Sequence, residues 1–438
     1  MSISPQTTAA PASHRSASRV KWLGLFRRVD LPISLILVGL NAWWWWDARP
    51  IPNLKQVEQW IGVERETGTR SVAWWDISDV SRDTRGAIAV LRRAVRRSPH
   101  DGDARILLGR ALGAAKEYRE CAEQLRLVPF WHPGKPEAQF GEGMAWLQIK
   151  RARDAERAFL GYLAIDPNHP TPRPKRLVVE NNLLNLYADE DRWDEAQEII
   201  WRAHRDAEGL PMGRRKLMEM SLRSRLERAD PAIALKNLRE ILAADPDDWE
   251  ARRALARAAN AEKLFDEADR AIARCLAERP KDPRAWADWL EILDARNDFT
   301  GLAAAVAKVP PEADVEGRIW KIRGRVYRQA KDYEGVVRSL SKAVELLPYD
   351  LDAHYSLAFA LQMLGRATEA EFHRKRHIEL EAVSKEVPEA VNGYKDVTDL
   401  PSPRPEDVKR AMLRLSSACD RMGWKRDAEG WAKAASEL

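Results

Sequence analysis

Apolar residues recur along most of the chain at spacings of three, four and seven, the mark of helices with one buried face. One set of such faces is carried by Leu108, Gly109 and Leu112, by Gly143 and Trp146, by Trp320, Gly324 and Tyr327, and by Leu357, Ala358 and Leu361. A second set reads Ala87, Leu91, Ala94; Ala155, Phe159, Tyr162; Ala234, Leu238, Ile241; Ala268, Ile272, Cys275; and Val336, Leu340, Ala343. Each member of the second set is followed five residues on by a proline: Pro99, Pro167, Pro246, Pro280 and Pro348. Proline lacks the N–H a helix needs to continue, so it marks the end of that helix. Pro99, Pro133 and Pro167 are 34 residues apart, as are Pro246 and Pro280, with Pro348 two such periods further on. The pattern predicts two helices per 34-residue period, with small residues where they approach closely.

A helix–turn–helix unit of this length and pattern resembles the tetratricopeptide repeat. Windows starting at 68, 102 and 136 share one phase and those at 215, 249, 283, 317 and 351 another, with one at 177 between them. Windows 68 and 283 are the most degenerate. The resemblance implies an all-α fold, a right-handed α-solenoid of about nine repeats over residues 68–384. Residues 385–405, with Pro388, Asn392-Gly393, Pro401, Pro403 and Pro405, read as a Pro-rich linker. A C-terminal helix pair is expected over 406–438.

The N-terminus departs from this period. Residues 1–28 read as a disordered basic tail, and Leu31 to Trp46 (LPISLILVGLNAWWWW) hold no charge. A helix over 29–46, with Leu31, Ile36, Leu40, Trp43 and Trp46, is expected as a transmembrane signal-anchor, its tryptophans at the interface. Arg15, Arg19, Lys21, Arg27 and Arg28 precede it, so the tail is expected in the cytoplasm and the repeats outside it, in a periplasm-like space. Residues 47–67 read as a linker.

Composition narrows the function. A net charge of +5 over 438 residues falls short of a nucleic-acid-binding balance. The three cysteines, Cys121, Cys275 and Cys419, form no C-x-x-C pair and take buried repeat positions. Gly141-Glu-Gly143 lacks the third glycine of a dinucleotide loop, and His373 and His377 are crowded by Arg374, Lys375 and Arg376. No catalytic motif, cofactor or metal site is expected.

In the family that the chain resembles, the first helix of each unit lines a concave groove. Here that stripe carries Arg223, Arg253, Arg257, Lys321, Arg325 and Arg328, interrupted by Glu291 and Asp294. It reads either as a groove for an acidic peptide or as ion pairs between neighbouring units. Asn181 and Asn185 alone resemble the carboxylate clamp of some family members. Phe140, Met144 and Leu147 suggest a drier stretch of groove or plain core. The expected function is a membrane-anchored scaffold that binds proteins or peptides in envelope assembly. Self-assembly into a homo-oligomer, for which Trp74 and Trp75 are candidates, and an enzyme-associated positioning module are the alternatives.

Overall fold

The structure, a computed structural model, describes residues 84–165, 173–206, 211–226 and 230–438. These form 19 α-helices and one 3-10 turn, with no strand among the described residues. The predicted anchor, with Leu31, Ile36, Leu40, Trp43 and Trp46, lies outside them, as do Trp74 and Trp75. Among the described residues no helix is long and apolar enough to cross a membrane.

The chain divides into two compact units, 1–135 and 136–438. The first contains α1 (Thr84–Arg97), α2 (Gly102–Ala114) and α3 (Tyr118–Arg126). The second begins with the hairpins α4 (Lys135–Gln148)/α5 (Ala152–Leu163), α6 (Arg173–Asp189)/α7 (Trp193–Asp206) and α8 (Pro211–Leu226)/α9 (Pro231–Ala244). It continues with α10 (Trp249–Ala261)/α11 (Phe265–Glu278), α12 (Pro283–Ala295)/α13 (Phe299–Val306) and α14 (Gly317–Gln329)/α15 (Tyr333–Leu346). Last come α16 (Leu351–Met363)/α17 (Ala367–Thr398) and α18 (Pro405–Arg421)/α19 (Lys425–Ser436). Among the described residues both units are all-α, and the second is a solenoid of helical hairpins. From α10 to α17, first helices start at 249, 283, 317 and 351 and second helices at 265, 299, 333 and 367.

Three local devices recur with the repeat. Aspartates at 101, 248, 282 and 350 cap the following helix, each side chain accepting from the backbone N–H three residues on. The turn inside the hairpin takes one residue in the left-handed region: Lys116, Lys150, Asp191, Lys263, Asn297 and Lys331, then Gly365 and Gly423. Finally, a side-chain donor in the first helix reaches back six residues to a carbonyl of the inter-repeat turn. Arg105 donates to Pro99 O at 2.7 Å, Trp286 to Pro280 O at 2.8 Å and Trp320 to Asp314 O at 2.8 Å. Arg252 to Pro246 O and His354 to Pro348 O repeat the geometry.

Packing explains the small residues. A Cβ on Gly109, Gly143 or Gly324 would collide with Leu125, Phe159 or Leu340 of the partner helix sixteen positions later. Cys121, Cys275 and Cys419 are buried, and burial pushes each thiol up to about 12. In the degenerate 283 unit the second helix has only eight residues, and a 3-10 turn at Pro311–Val315 follows it. Trp286, Leu290 and Leu302 fill the core there with Ala313 from that turn.

The C-terminal region departs most from expectation. Residues 385–398 are not linker: α17 runs 32 residues with Pro388 inside it. An interior proline costs a helix about 3 kcal/mol. Against that, Leu380, Val383, Val387, Ala390 and Tyr394 form a buried stripe at spacings of three and four. A buried aliphatic side chain contributes about 1.5–3 kcal/mol, so the stripe outweighs the proline. It packs with α18 and α19 into one core that also takes Trp201 of α7 and Met218 and Leu222 of α8. The last hairpin thus closes on helices two hundred residues earlier. Asp427, fully buried, accepts from Ser221 and, at 3.0 Å, from Arg225. Arg214 pairs with Glu437 at 2.8 Å, and the Tyr394 hydroxyl donates to Glu219 at 2.5 Å.

Candidate functional site

The predicted basic stripe separates into a buried part and an exposed part. Arg253 belongs to the interior, where its guanidinium lies 2.8 Å from the fully buried Asp288. Arg318 reaches the same carboxylate at 2.9 Å and Arg257 at 3.6 Å. Burial alone would push the Asp288 carboxyl up. The charges of Arg253, Arg257 and Arg318 outweigh it and hold the group below the usual carboxylate range. Arg257 also pairs at 2.5 Å with Asp191 in the α6–α7 turn. The Arg223 side chain lies outside the described residues.

The exposed part is a cleft of about 450 Å³ along three successive first helices. α12 contributes Glu291 and Asp294, α14 contributes Lys321, Arg325 and Arg328, and α16 contributes Asp352, Tyr355 and Ser356. Two of these cations are engaged: Lys321 with Asp350 and Arg325 with Asp294, both at 2.6 Å. These ion pairs between neighbouring units are one of the two readings that the sequence left open. Arg328 is exposed, and its charge is felt by Asp294.

One feature of this surface went unread in the sequence. Tyr355, Phe359 and Met363, four residues apart on α16, are 58%, 44% and 52% exposed. That spacing puts them on one helix face. The signal was present as an apolar residue beside each core position, but Leu357, Ala358 and Leu361 already satisfied the helix pattern.

Phe140, His373 and His377 are engaged within the fold, while Asn181 and Asn185 are exposed. Phe140 is buried, with its ring 6.2 Å from Tyr162. His373 Nδ1 lies 2.9 Å from His354 Nδ1, and His377 Nδ1 lies 3.1 Å from Leu351 O. Each ring has a protein partner, and no group of three metal-ligating side chains occurs among the described residues.

The sequence model of the tetratricopeptide repeat matches residues 81–139 and 225–287. No curated protein matches the chain in sequence. Among solved structures, that of MamA is 17% identical, covering 36% of this chain and 91% of that one, with a TM-score of 0.31. MamA from residue 41 onward, of Desulfovibrio magneticus RS-1, is 22% identical over 39% of this chain and 95% of its own, with a TM-score of 0.31. PilF of Pseudomonas aeruginosa is 15% identical over 51% of this chain and 91% of its own, with a TM-score of 0.33. Similarities at that level carry no argument about what this chain binds.

Proposed function

We propose that this chain, two stretches of which match the tetratricopeptide repeat, is a non-catalytic scaffold that holds a peptide segment of a partner protein in the cleft over α12, α14 and α16. The observation that carries this reading is the pairing of an exposed cation with an exposed apolar stripe. Arg328 offers a guanidinium able to bind a carboxylate in two-point fashion. Tyr355 lines the same cleft, and Phe359 and Met363 continue its exposed face along α16, offering area for apolar side chains. The segment that fits carries an acidic residue flanked by aliphatic or aromatic ones. Glu291, Asp294 and Asp352 at the same rim disfavour a run of acidic residues, because like charges there are repelled.

The uncharged stretch from Leu31 to Trp46, with its basic flank, supports a single-pass anchor that leaves the repeats outside the cytoplasm. A scaffold so placed fits assembly work in a cell envelope. Alkaline extraction of membranes and protease protection of the repeats test that placement.

The test of the cleft is capture by full-length protein against Arg328→Glu and a Tyr355→Ala/Phe359→Ala double variant. All three side chains are at least partly exposed, so helicity is expected to hold. Loss of one discrete partner in both variants supports the reading. Unchanged capture in both overturns it, and concentration-dependent mass in light scattering that both variants abolish assigns the cleft to self-assembly instead.

A further inference from the structure

Among the described residues of the 1–135 unit, the large exposed apolar side chains gather in one loop. Leu127, Phe130 and Trp131, between α3 and α4, are 57%, 82% and 70% exposed, and the two rings meet edge-to-face at 4.9 Å. The loop is firmly held. His132 Nδ1 accepts from the Gly134 N–H at 3.0 Å, and Lys135 Nζ donates to Val128 O at 2.8 Å and Arg126 O at 3.2 Å. A Cβ on Gly102 would collide with the His132 ring, and one on Gly134 with Ile106, so the loop lies tight against α2. Two large rings are thereby presented to solvent on a fixed support.

The segment that carries them is basic. Residues 84–135 contain eleven Lys and Arg against five Asp and Glu, a net +6, whereas the whole chain nets +5. The contact of His132 with Gly102 sets the loop beside the α1–α2 turn, where α1 ends on the exposed Arg96 and Arg97. Arg126, exposed, closes α3 directly before the loop.

We propose that this end of the unit docks on an anionic bilayer, with Phe130 and Trp131 entering the interfacial layer and Arg96, Arg97 and Arg126 meeting lipid headgroups. The Trp131 indole, with its polar N–H, suits that depth, the Phe130 phenyl adds apolar area to bury beside it, and clustered basic residues are drawn to anionic leaflets. A protein-docking core is depleted of charge and shaped to a partner; a projecting two-ring tip with arginines around it fits a fluid surface better. The inference is independent of the cleft reading and of the predicted anchor.

The test uses full-length protein in vesicles of phosphatidylcholine with or without phosphatidylserine. An environment-sensitive dye is placed on the introduced thiol of Trp131→Cys, the three native thiols being buried. Blue-shifted emission quenched by brominated lipid, only when phosphatidylserine is present, is the expected result. Combined Arg96→Glu, Arg97→Glu and Arg126→Glu substitution should return the emission to its aqueous value. The same dye on Thr368→Cys, exposed on α17, should stay aqueous throughout. An aqueous signal from position 131 on anionic vesicles overturns the proposal, even for a chain anchored elsewhere. So does an emission unmoved by charge reversal, or one that shifts only with protein concentration, which would mark contact between copies.

Discussion

The carboxylate of Asp288 on α12 accepts a 2.8 Å hydrogen bond from Arg253 on α10, and both side chains are sealed from solvent. With Arg318 at 2.9 Å on the other oxygen, one buried anion ties together the first helices of three consecutive units. Removing it leaves a buried guanidinium without its partner. Asp288→Ala should therefore cost about 3–5 kcal/mol, read as a lower denaturant midpoint. Arg253→Met combined with Asp288→Leu should recover most of that loss. A midpoint unchanged in Asp288→Ala would show that the pairing adds nothing to stability.

The backward-reaching donors make a second, smaller prediction. Trp286→Phe keeps most of the ring but strands the Pro280 carbonyl, and Trp320→Phe does the same to Asp314. Each should lose about 1 kcal/mol, with the two losses adding because the sites lie in different units. Equal stability of either variant and the parent would mean that water replaces the donor at no cost.

The left-handed turns invite the opposite change. Lys263 sits at φ +60, a conformation that costs a residue bearing a Cβ about 1–2 kcal/mol. Lys263→Gly should hold or raise the melting temperature, although glycine elsewhere in a helical protein lowers it. Lys263→Val should lower it, because a β-branched residue tolerates that φ worst. Circular dichroism melts of the pair decide the matter by their order.

Closure of the last hairpin has its own signature. Trp431 is fully buried beside Tyr394, ring centroids 5.1 Å apart, in the core shared with α7 and α8. Trp431→Ala should cost about 3–5 kcal/mol. Hydrogen exchange should quicken in α8 as well as in α18 and α19. Quickening confined to the last two helices would mean that α8 gains nothing from the contact.

Acid should loosen the α16–α17 hairpin. Burial lowers the pKa of His354 and of His373 below the usual histidine value, with Arg376 and His377 adding to the effect at His354 and His354 at His373. The hydrogen bond to Pro348 O and then the charge of Asp350 oppose it at His354, and the charge of Glu369 does so at His373. The unfolded chain then binds protons that the folded one does not, so stability is intact above about pH 6.5 and falls as pH drops through that value. His354→Gln should flatten the slope of melting temperature against pH across that window. An unchanged slope would place the titration elsewhere.

What the sequence disclosed and what it hid divide along physical lines. The hairpins were legible because Pro246 and Pro280, or Gly143 and Gly324, mark constraints that only one or two residue types can meet. The backward donors were hidden because Arg105, Trp286 and His354 share nothing but an N–H at the right reach. The turns were hidden for a similar reason: Lys116, Asn297 and Gly365 all accept the left-handed conformation at different cost. At 385–398 Pro388 carries a local message of a helix end, whereas the buried stripe that overrides it takes its partners from α7, α8, α18 and α19. In the basic stripe, ion pairs between neighbouring units were one of two open readings, and Arg325 with Asp294 is such a pair. Arg253 was taken for lining because Asp288, 35 positions on, offered no helical spacing to suggest it.

A stack of identical units ordinarily tolerates gain or loss of a copy, since each unit needs only its neighbours. Here α19 must find α8, with Asp427 against Ser221 and Gly430 against Met218. Between those helices the number of hairpins is consequently fixed. A duplicated or deleted 34-residue segment would carry α19 past its seat or short of it. Over that stretch, gain or loss of a whole repeat would break the seat of α19, whereas a substitution within a repeat can keep it.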